Sequence, residues 1–270
     1  MALGAQQIWD DYQRLRQTVP LVHSLTNTVV QAFTANALLA LGASPLMSEV
    51  SEEIDELVEM ASALNLNIGT PTAPARAAML QAARAARRLG RPFVLDPVAV
   101  GATRLRSEFV AELRAAATPT VIRGNQAEIA TLAGVGWQGR GVDAGSAAPD
   151  LENTVREAAR QAGTTVVATG ETDYLCDGSR LAILSNGHPL LAKVTGTGCV
   201  VSAITAAFLA VQPDPLAAGV AAVSTMNVAA ELAAAHPQVD GPGSFQVRLV
   251  DMLGKLDRAL LEDRLTLELK

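Results

Sequence analysis

The segment VTGTGCVVSAITAAF, residues 194–208, decides how this chain is interpreted. It places Gly196 and Gly198, with Thr197 between them, directly before an apolar run that has the composition of a buried helix. Glycine lets the backbone approach a ligand closely. Free N–H groups at a helix start, aided by the helix dipole, attract anions. Gly196, Thr197 and Gly198 are therefore predicted to form an anion hole for a phosphate or a transferring phosphoryl group.

Cys199 stands in the first turn of this predicted helix. The helix dipole lowers the pKa of a thiol in that position, which predicts that Cys199 acts as a catalytic base. A tight turn followed by a small buried cysteine would have the same sequence, so both interpretations stay open on this segment alone. Two other phosphate-binding motifs are excluded, because the chain has neither a G-x-x-x-x-G-K-[ST] run nor a G-x-G-x-x-G fingerprint after its first strand.

Around this segment, short β-branched or apolar runs alternate with longer alanine-rich stretches, the pattern of an α/β sheet covered by helices. The predicted strands are 20–24, 44–47, 64–68, 92–96, 120–123 and 165–168, and a hairpin follows over 174–176 and 180–184. The predicted helices are 29–41, 53–62, 73–89, 107–116, 125–133, 151–162, 198–211, 215–235 and 244–261. We expect one domain over residues 1–270 with a mixed sheet. The last helices should pack against one face of it, and residues 134–149 should form a surface loop.

Two neighbouring strands of this predicted sheet end in charged residues. Asp96 closes one strand, Arg123 closes the next, and Glu128 follows one helical turn later. Ligands of open α/β sheets bind at the carboxyl ends of strands, where a guanidinium suits phosphate and carboxylates suit Mg²⁺. Taken singly, Asp96 also suits a turn, and Glu128 also suits a capping box with Asn125. Together, Asp96, Arg123 and Glu128 indicate a metal and phosphate site.

Composition narrows the class of partner. The formal net charge of -6 gives no basic surface for nucleic acid or for anionic lipid, so a small-molecule substrate is expected. The N-terminus has acidic residues and lacks the apolar core of a signal peptide. We also expect no apolar run long enough to cross a bilayer, and hence a cytoplasmic protein. Cys176 and Cys199 are expected to be free thiols, because a chain of this size does not need a disulfide.

Three blocks, at residues 22–31, 35–48 and 66–70, closely resemble the thiazole kinases. Gly-Thr-Gly-Cys at 196–199 resembles the anion-hole motif of the ribokinase-like superfamily, in which most members have aspartate at the cysteine position. Cysteine there is typical of the kinases of the thiamine pathway. The chain thus resembles the hydroxyethylthiazole kinases of thiamine biosynthesis and salvage. This implies a ribokinase-like three-layer sandwich, with a mostly parallel central sheet and helices on both faces.

The resemblance also implies the reaction, which is ATP-dependent phosphorylation of the hydroxyl of 4-methyl-5-(2-hydroxyethyl)thiazole with Mg²⁺. It implies Cys199 as the base, Asp96 and Glu128 as the Mg²⁺-associated acids, Arg123, Thr169 and Gly170 at the nucleotide, and Met47, Gly196 and Asn27 at the thiazole. A neighbouring subunit of a homotrimer would complete the pocket. Without the resemblance, a methionine at a strand end such as Met47 is more often a core residue, the Thr169-Gly170 pair suits a plain turn, and His23 is more often a structural histidine than a catalyst.

Several other functions share part of this pattern. A hydroxymethylpyrimidine or pyridoxal-type kinase shares Gly-Thr-Gly-Cys but should lack the block at 23–36. A hydro-lyase acting on hydrated nicotinamide nucleotides would have aspartate at position 199. A cysteine hydrolase needs a histidine partner, and no histidine of this chain lies in a supporting motif. A nucleotide-binding protein without activity would not need the full set of candidate groups. The sequence departs from the family pattern at Ala99, where glycine is usual, and at Gln126.

Overall fold

The computed structural model describes residues 3–135 and 150–270. Its strands are β1 (Leu21–Leu25), β2 (Ser44–Leu46), β3 (Ala63–Asn67), β4 (Phe93–Asp96), β5 (Val121–Asn125), β6 (Thr165–Thr169), β7 (Asp173–Cys176), β8 (Leu181–Leu184) and β9 (Leu267–Leu269). Its helices are α1 (Ala5–Thr18), α2 (Gln31–Leu41), α3 (Ile54–Met60), α4 (Ala73–Leu89), α5 (Arg104–Ala116), α6 (Gln126–Leu132), α7 (Leu151–Ala162), α8 (Thr197–Leu209), α9 (Pro215–Ala234), α10 (Pro242–Leu253) and α11 (Arg258–Arg264). The loop predicted for 134–149 lies outside the described residues from residue 136 onward.

The described strands form one sheet in the order β2-β1-β3-β4-β5-β6-β7-β8-β9. Neighbouring strands from β2 to β6 are parallel, whereas the pairs from β6 to β9 are antiparallel. The predicted hairpin is present, with Cys176 opposite Leu181. The mixed sheet is therefore confirmed. Because β1, β3, β4, β5 and β6 run in the same direction, their carboxyl ends lie along one edge of the sheet.

Helices cover both faces of the sheet and give the three predicted layers. One apolar cluster joins the sheet to α1, α2 and α8 to α11, and a second joins the opposite face to α3 to α7. The C-terminal helices therefore pack on one face, as expected. Helix α8 is buried from Val200 to Leu209 and packs across β1, β3 and β4. Its first turn consequently lies at the carboxyl edge of the parallel strands.

Helix α9 corrects one sequence expectation. At 20 residues, with a mean hydropathy of 1.4 over its most apolar 18-residue window, it is long and apolar enough to cross a bilayer, although we expected no such run. In the fold, however, 89 % of its most apolar window is buried, because α9 lies between the sheet, α8 and α10. A helix that is apolar on all sides is typical of a protein core as well as of a membrane. Here α9 is a core helix.

Other differences lie near the two ends of the chain. The sequence interpretation did not assign α1 or β9, although α1 buries Ile8, Tyr12 and Leu15 in a helical spacing. The single helix predicted for 244–261 is two helices, α10 and α11. The second begins after Asp257, whose carboxylate accepts a hydrogen bond from the Leu260 N–H at 2.9 Å. Such an N-cap marks the start of a new helix.

Candidate active site

The carboxyl edge of the parallel strands brings polar side chains together. Asn27 follows β1, Asn67 ends β3, Asp96 ends β4, Arg123 lies in β5, and Thr169 ends β6. Asn27, Asn67, Asp96 and Arg123 are buried, with exposed fractions of 7 % or less. Buried polar groups need hydrogen-bond partners, and most of these find them in one another. The edge is therefore one connected polar cluster beneath the start of α8.

The predicted anion hole lies at this same edge. Gly196 precedes α8 with φ 90°, in the left-handed region that favours glycine, and no side chain of the described residues caps the helix. A Cβ on Gly196 would collide with Val30. The four residues from Gly196 to Cys199 are half-buried, and the first N–H groups of α8 have no partner within the helix itself. The geometry is that of an anion site at a helix N-terminus.

Arg123 lies against the anion hole. A Cβ on Gly198 would lie 2.7 Å from Arg123 Nη1 and 2.8 Å from Nη2, so the guanidinium is in direct contact with the Gly198 backbone. Arg123 Nη2 donates a hydrogen bond to the Thr169 hydroxyl, and Nη1 lies 3.8 Å from Asp96 Oδ2. The structure thus brings Arg123, Thr169 and the 196–199 turn into one site. A phosphate at the helix start would meet a guanidinium and backbone amides together.

Gly198→Ala tests this contact. The added methyl group would displace the Arg123 guanidinium, and misplacing a binding group by about an ångström costs on the order of a hundredfold in rate. We therefore expect kcat/KM for ATP to fall about a hundredfold while the protein stays folded, because alanine is a good helix former. Steady-state kinetics and a melting curve measure the two effects. Gly243→Ala is the matched control, since a Cβ there meets nothing within 4 Å. Unchanged kinetics for Gly198→Ala would contradict the contact.

Asp96 is the most deeply buried acid of the cluster, at 1 % exposure. Its Oδ2 accepts hydrogen bonds from Asn67 Nδ2 at 2.6 Å and from the Ser202 hydroxyl at 2.7 Å. Its Oδ1 has no hydrogen-bond partner in the described ranges. Burial raises the pKa of Asp96 to about 6, an effect that Glu128 reinforces and that Arg123, Ser202 and Asn67 oppose. A buried carboxylate oxygen without a partner is a costly arrangement and is typical of a functional site.

Glu128 fulfils the structural role that its spacing from Asn125 predicted. Asn125 and Glu128 form a capping box at the start of α6, in which Glu128 Oε2 accepts from the Asn125 N–H at 2.7 Å. Its other oxygen accepts from the Ala99 N–H at 2.7 Å and so ties the β4 loop to α6. Ala99 has φ 56°, in the left-handed region, which gives a physical reason for the glycine that is usual there. Both Glu128 oxygens therefore already accept backbone hydrogen bonds.

These acids fit an Mg²⁺ site only in part. No group of three or more His, Cys, Asp or Glu side chains that could enclose a metal occurs in residues 3–135 and 150–270. The free Oδ1 of Asp96 suits direct ligation, whereas the occupied oxygens of Glu128 suit contact through water. Mg²⁺ ordinarily keeps several waters and is held by one or two carboxylates together with substrate phosphates. The donor set therefore fits Mg²⁺ bound with a nucleotide.

Cys199 departs from one expectation. Its Sγ lies 3.4 Å from Asn27 Nδ2, which donates to it, and the residue is half-buried. Burial raises the pKa of the Cys199 thiol and the Asp96 carboxylate raises it further, while Asn67, Arg123 and Asn27 oppose the shift. The expectation of a depressed thiol pKa at the helix start is therefore wrong for this structure. Desolvation and a nearby carboxylate outweigh the helix start.

The remaining predicted residues lie around this cluster. Gly170 donates its N–H to Asp173 Oδ1 at 2.9 Å, which shapes the turn after Thr169. Met47 is half-buried just after the edge strand β2 and packs against the apolar core rather than within the polar cluster. His23 is fully buried, with Nε2 2.8 Å from the Ser48 carbonyl, and burial lowers its pKa. This agrees with a structural histidine.

Asn67 and Ser202 are not among the residues predicted for the site. Asn67 stood in one of the blocks that resemble thiazole kinases, at a strand end beside a glycine, and that position was the available signal. Ser202 lies one turn after Cys199 on the apolar helix, where a lone hydroxyl indicates a buried partner. Both side chains donate to Asp96.

Comparison with known proteins gives a consistent result. The profile of the Hydroxyethylthiazole kinase family matches residues 12–259. A hydroxyethylthiazole kinase from Granulibacter bethesdensis is 50 % identical over 249 residues, which cover 92 % of this chain and 90 % of that protein. The structure of a hydroxyethylthiazole kinase from Pyrococcus horikoshii superposes with a TM-score of 0.88 at 38 % identity, covering 98 % and 99 % of the two chains. Pyridoxal kinase from Staphylococcus aureus in complex with ADP, at 14 % identity, TM-score 0.65 and coverage of 93 % and 98 %, shares the fold.

Proposed function

The chain belongs to the hydroxyethylthiazole kinase family, and we propose that it transfers the γ-phosphoryl group of ATP to the hydroxyl of 4-methyl-5-(2-hydroxyethyl)thiazole. The observation that carries this proposal is the contact of Arg123 with Gly198, beside Cys199 and Asp96. It places a cation, backbone amides, an acid and a thiol around one point. Phosphoryl transfer is catalysed mostly by such positioning and charge stabilisation.

In this mechanism the hydroxyl oxygen attacks the γ-phosphorus in line. The new P–O bond forms as the bond to the ADP oxygen breaks, and the hydroxyl proton passes to the thiolate form of Cys199 or to a water beside it. The amides of residues 196–199 and Arg123 stabilise the charge on the transferring group. Asp96, directly, and Glu128, through water, would hold Mg²⁺, which supplies neutralisation of phosphate charge when bound.

The nucleotide and the thiazole alcohol are assigned to different sides of the contact between Arg123 and Gly198. We assign the nucleotide to Arg123, Thr169 and Gly170, supported by the Arg123–Thr169 hydrogen bond. We assign the thiazole alcohol to Asn27, Gly196 and Met47, supported by the contact of Asn27 with Cys199. The thioether of Met47 suits a sulfur-containing aromatic ring.

The proposal includes a homotrimer whose subunits complete one another's thiazole pockets. Met47 follows β2, the edge strand of the sheet, where a second subunit can approach. Helix α2 contacts β2 and α10. Three apolar side chains of this region are exposed: Val29 just before α2 (68 %), Leu39 in α2 (59 %) and Val247 in α10 (63 %). Apolar surface of this kind is typical of subunit contacts. Light scattering on the purified protein measures the oligomeric state, and a monomeric active enzyme would contradict the proposed trimer.

We further propose that the enzyme is cytoplasmic.

The function is tested by coupled ADP release with Mg-ATP and 4-methyl-5-(2-hydroxyethyl)thiazole, with hydroxymethylpyrimidine and pyridoxal as competing acceptors. Turnover that strongly favours the thiazole is expected. Turnover with the pyrimidine or with pyridoxal alone would keep the kinase fold and overturn the substrate. No ADP release with any acceptor would overturn the kinase activity itself.

Cys199→Ala is expected to keep a measurable rate. A transition state resembling metaphosphate needs little deprotonation of the attacking hydroxyl, so a base contributes only part of the acceleration. We expect kcat to fall by about tenfold to a hundredfold, with KM for ATP nearly unchanged. Steady-state kinetics with each substrate varied measures both constants. Cys176→Ala, in the β7 strand and buried in the opposite apolar cluster, is the control and should retain wild-type kinetics. A wild-type kcat for Cys199→Ala would remove Cys199 from the mechanism.

A further inference from the structure

Asn67 joins two parts of the polar cluster, namely Asp96 on one side and Asn27 with Cys199 on the other. It is fully buried at the end of β3. Its Oδ1 accepts hydrogen bonds from the Gly69 N–H at 3.0 Å and from Asn27 Nδ2 at 2.9 Å, and its Nδ2 donates to Asp96 Oδ2 at 2.6 Å. Through these bonds it links Asp96 to Asn27, the residue that contacts Cys199.

The Gly69 amide fixes the direction of these hydrogen bonds. A backbone N–H can only donate, so the atom of Asn67 that faces it must be the carbonyl oxygen. The amino group of Asn67 then faces Asp96, where it meets an acceptor. Both ends of the side chain are satisfied in one orientation, and a flipped amide would set donor against donor at Gly69. Asn67 is thereby locked.

The locked oxygen of Asn67 then orients Asn27. Asn27 must present its amino group to Asn67 Oδ1, and that amino group also donates to Cys199 Sγ at 3.4 Å. An amide nitrogen carries two N–H groups, which suffices for both contacts. A Cβ on Gly69 would lie 2.7 Å from Asn27 Cβ, so glycine at this place also gives Asn27 the space it needs. The sulfur therefore meets a donor and acts as an acceptor.

We propose that Asn67 is a positioning residue for phosphoryl transfer: it orients Asn27, which donates to the Cys199 sulfur, and it holds the Asp96 carboxylate through its own amide. This rests on the proposed role of Cys199 in accepting the hydroxyl proton. An N–H directed at the sulfur stabilises its thiolate form, so a larger fraction of Cys199 is ready to accept the hydroxyl proton. Asn67 thus couples the thiol to the acid of the metal and phosphate site.

The first test measures the Cys199 thiol without any substrate. Alkylation by iodoacetamide at pH 8 is followed by mass spectrometry of the peptide that contains Cys199, which separates it from buried Cys176. Asn67→Leu and Asn27→Leu should each slow alkylation about tenfold, as expected for loss of one hydrogen bond to a charged group. The double variant should be slowed by less than the product of the two single effects, because part of the effect of Asn67 on the thiol passes through Asn27.

Ser202→Ala is the matched control. It removes the other donor to Asp96 Oδ2 but does not touch Asn27 or Cys199, so alkylation should stay at the wild-type rate.

Steric blocking is separated from the hydrogen-bond effect by repeating the reaction at a pH where the thiol is fully ionised. There the Leu variants should match the wild type. Wild-type alkylation of Asn67→Leu at pH 8, or slowing of the double variant by the full product of the two single effects, would overturn the relay. Melting curves establish that each variant is folded.

The second test measures catalysis. Asn67→Leu should lower kcat with the thiazole about tenfold or more, with a smaller change in KM for the thiazole. A wild-type kcat in a variant with slowed alkylation would overturn the positioning role. Failure of the proposed function itself is a distinct result, since it appears as absent thiazole turnover in the wild-type chain, whatever the alkylation rates.

Discussion

Arg123→Ala is expected to lower kcat/KM for ATP about a thousandfold. The guanidinium is 7 % exposed, donates to Thr169 and contacts the Gly198 backbone at the start of α8. A charge held in a site with little water stabilises developing phosphate charge far more than a solvated one does. Because this stabilisation acts chiefly in the transition state, the loss should fall on kcat at least as much as on KM. Initial rates over a range of ATP concentrations measure both.

Two controls separate catalysis from folding. Arg91→Ala removes a partly buried arginine, whose Nη2 donates to the Glu59 carbonyl at the opposite end of β4, and it should retain nearly wild-type kinetics. Arg123→Lys keeps a positive charge but loses the forked geometry that suits phosphate, so an intermediate loss of about a hundredfold is expected. If Arg123→Lys were as active as the wild type, Arg123 would act as a point charge alone. If Arg123→Ala retained full activity, the site proposed here would be wrong.

Most of the sheet could be predicted because its signals are local. The apolar runs that became β1, β3, β4, β5 and β6 are bounded by turns and separated by helical stretches, so each carries its own pattern. Strand β9 could not be found in this way, since three residues at a sheet edge depend on pairing with β8 more than 80 residues away in the sequence. The break between α10 and α11 did carry local signals, namely Gly254 and the N-cap Asp257.

The positions of the site residues at strand ends could be predicted, but the hydrogen bonds between their side chains could not. Asp96, Arg123 and Thr169 each follow an apolar run, and parallel strands bring such positions to one edge. The hydrogen bonds between these side chains depend on how β3, β4 and α8 pack against one another. The spacing of residues in the sequence does not reveal that packing. Asn67 and Ser202 therefore entered only with the structure. The same limit explains the error on Cys199, because the helix start is visible in the sequence whereas burial beside Asp96 is not.

Asp96→Asn is expected to remove about a thousandfold of kcat. Asparagine has the same shape, and its oxygen can still accept from Asn67 and Ser202. Its amino group would then occupy the position of Oδ1, the free carboxylate oxygen assigned here to Mg²⁺. An N–H group cannot ligate a cation, so both the rate and the affinity for Mg²⁺ should fall. Rates measured over a range of Mg²⁺ concentrations with saturating ATP test this. Ser202→Ala, which leaves the carboxylate in place, should lose much less.

The same substitution should make the protein more stable, which a merely misfolded variant could not do. Burial raises the pKa of Asp96 from 3.8 to about 6, so the folded chain holds a proton there more tightly than the unfolded chain does. The stability this provides is complete below the unfolded value and is lost as the pH rises through about 6, to the extent of about 3 kcal/mol. Asparagine resembles the protonated acid at every pH.

In buffer without divalent cations, urea unfolding should therefore show Asp96→Asn more stable than the wild type at pH 7.5, with the difference vanishing near pH 4. Equal stabilities at pH 7.5 would mean that the buried carboxylate carries no such cost. Loss of stability at both pH values would assign Asp96 to the support of the fold rather than to the reaction.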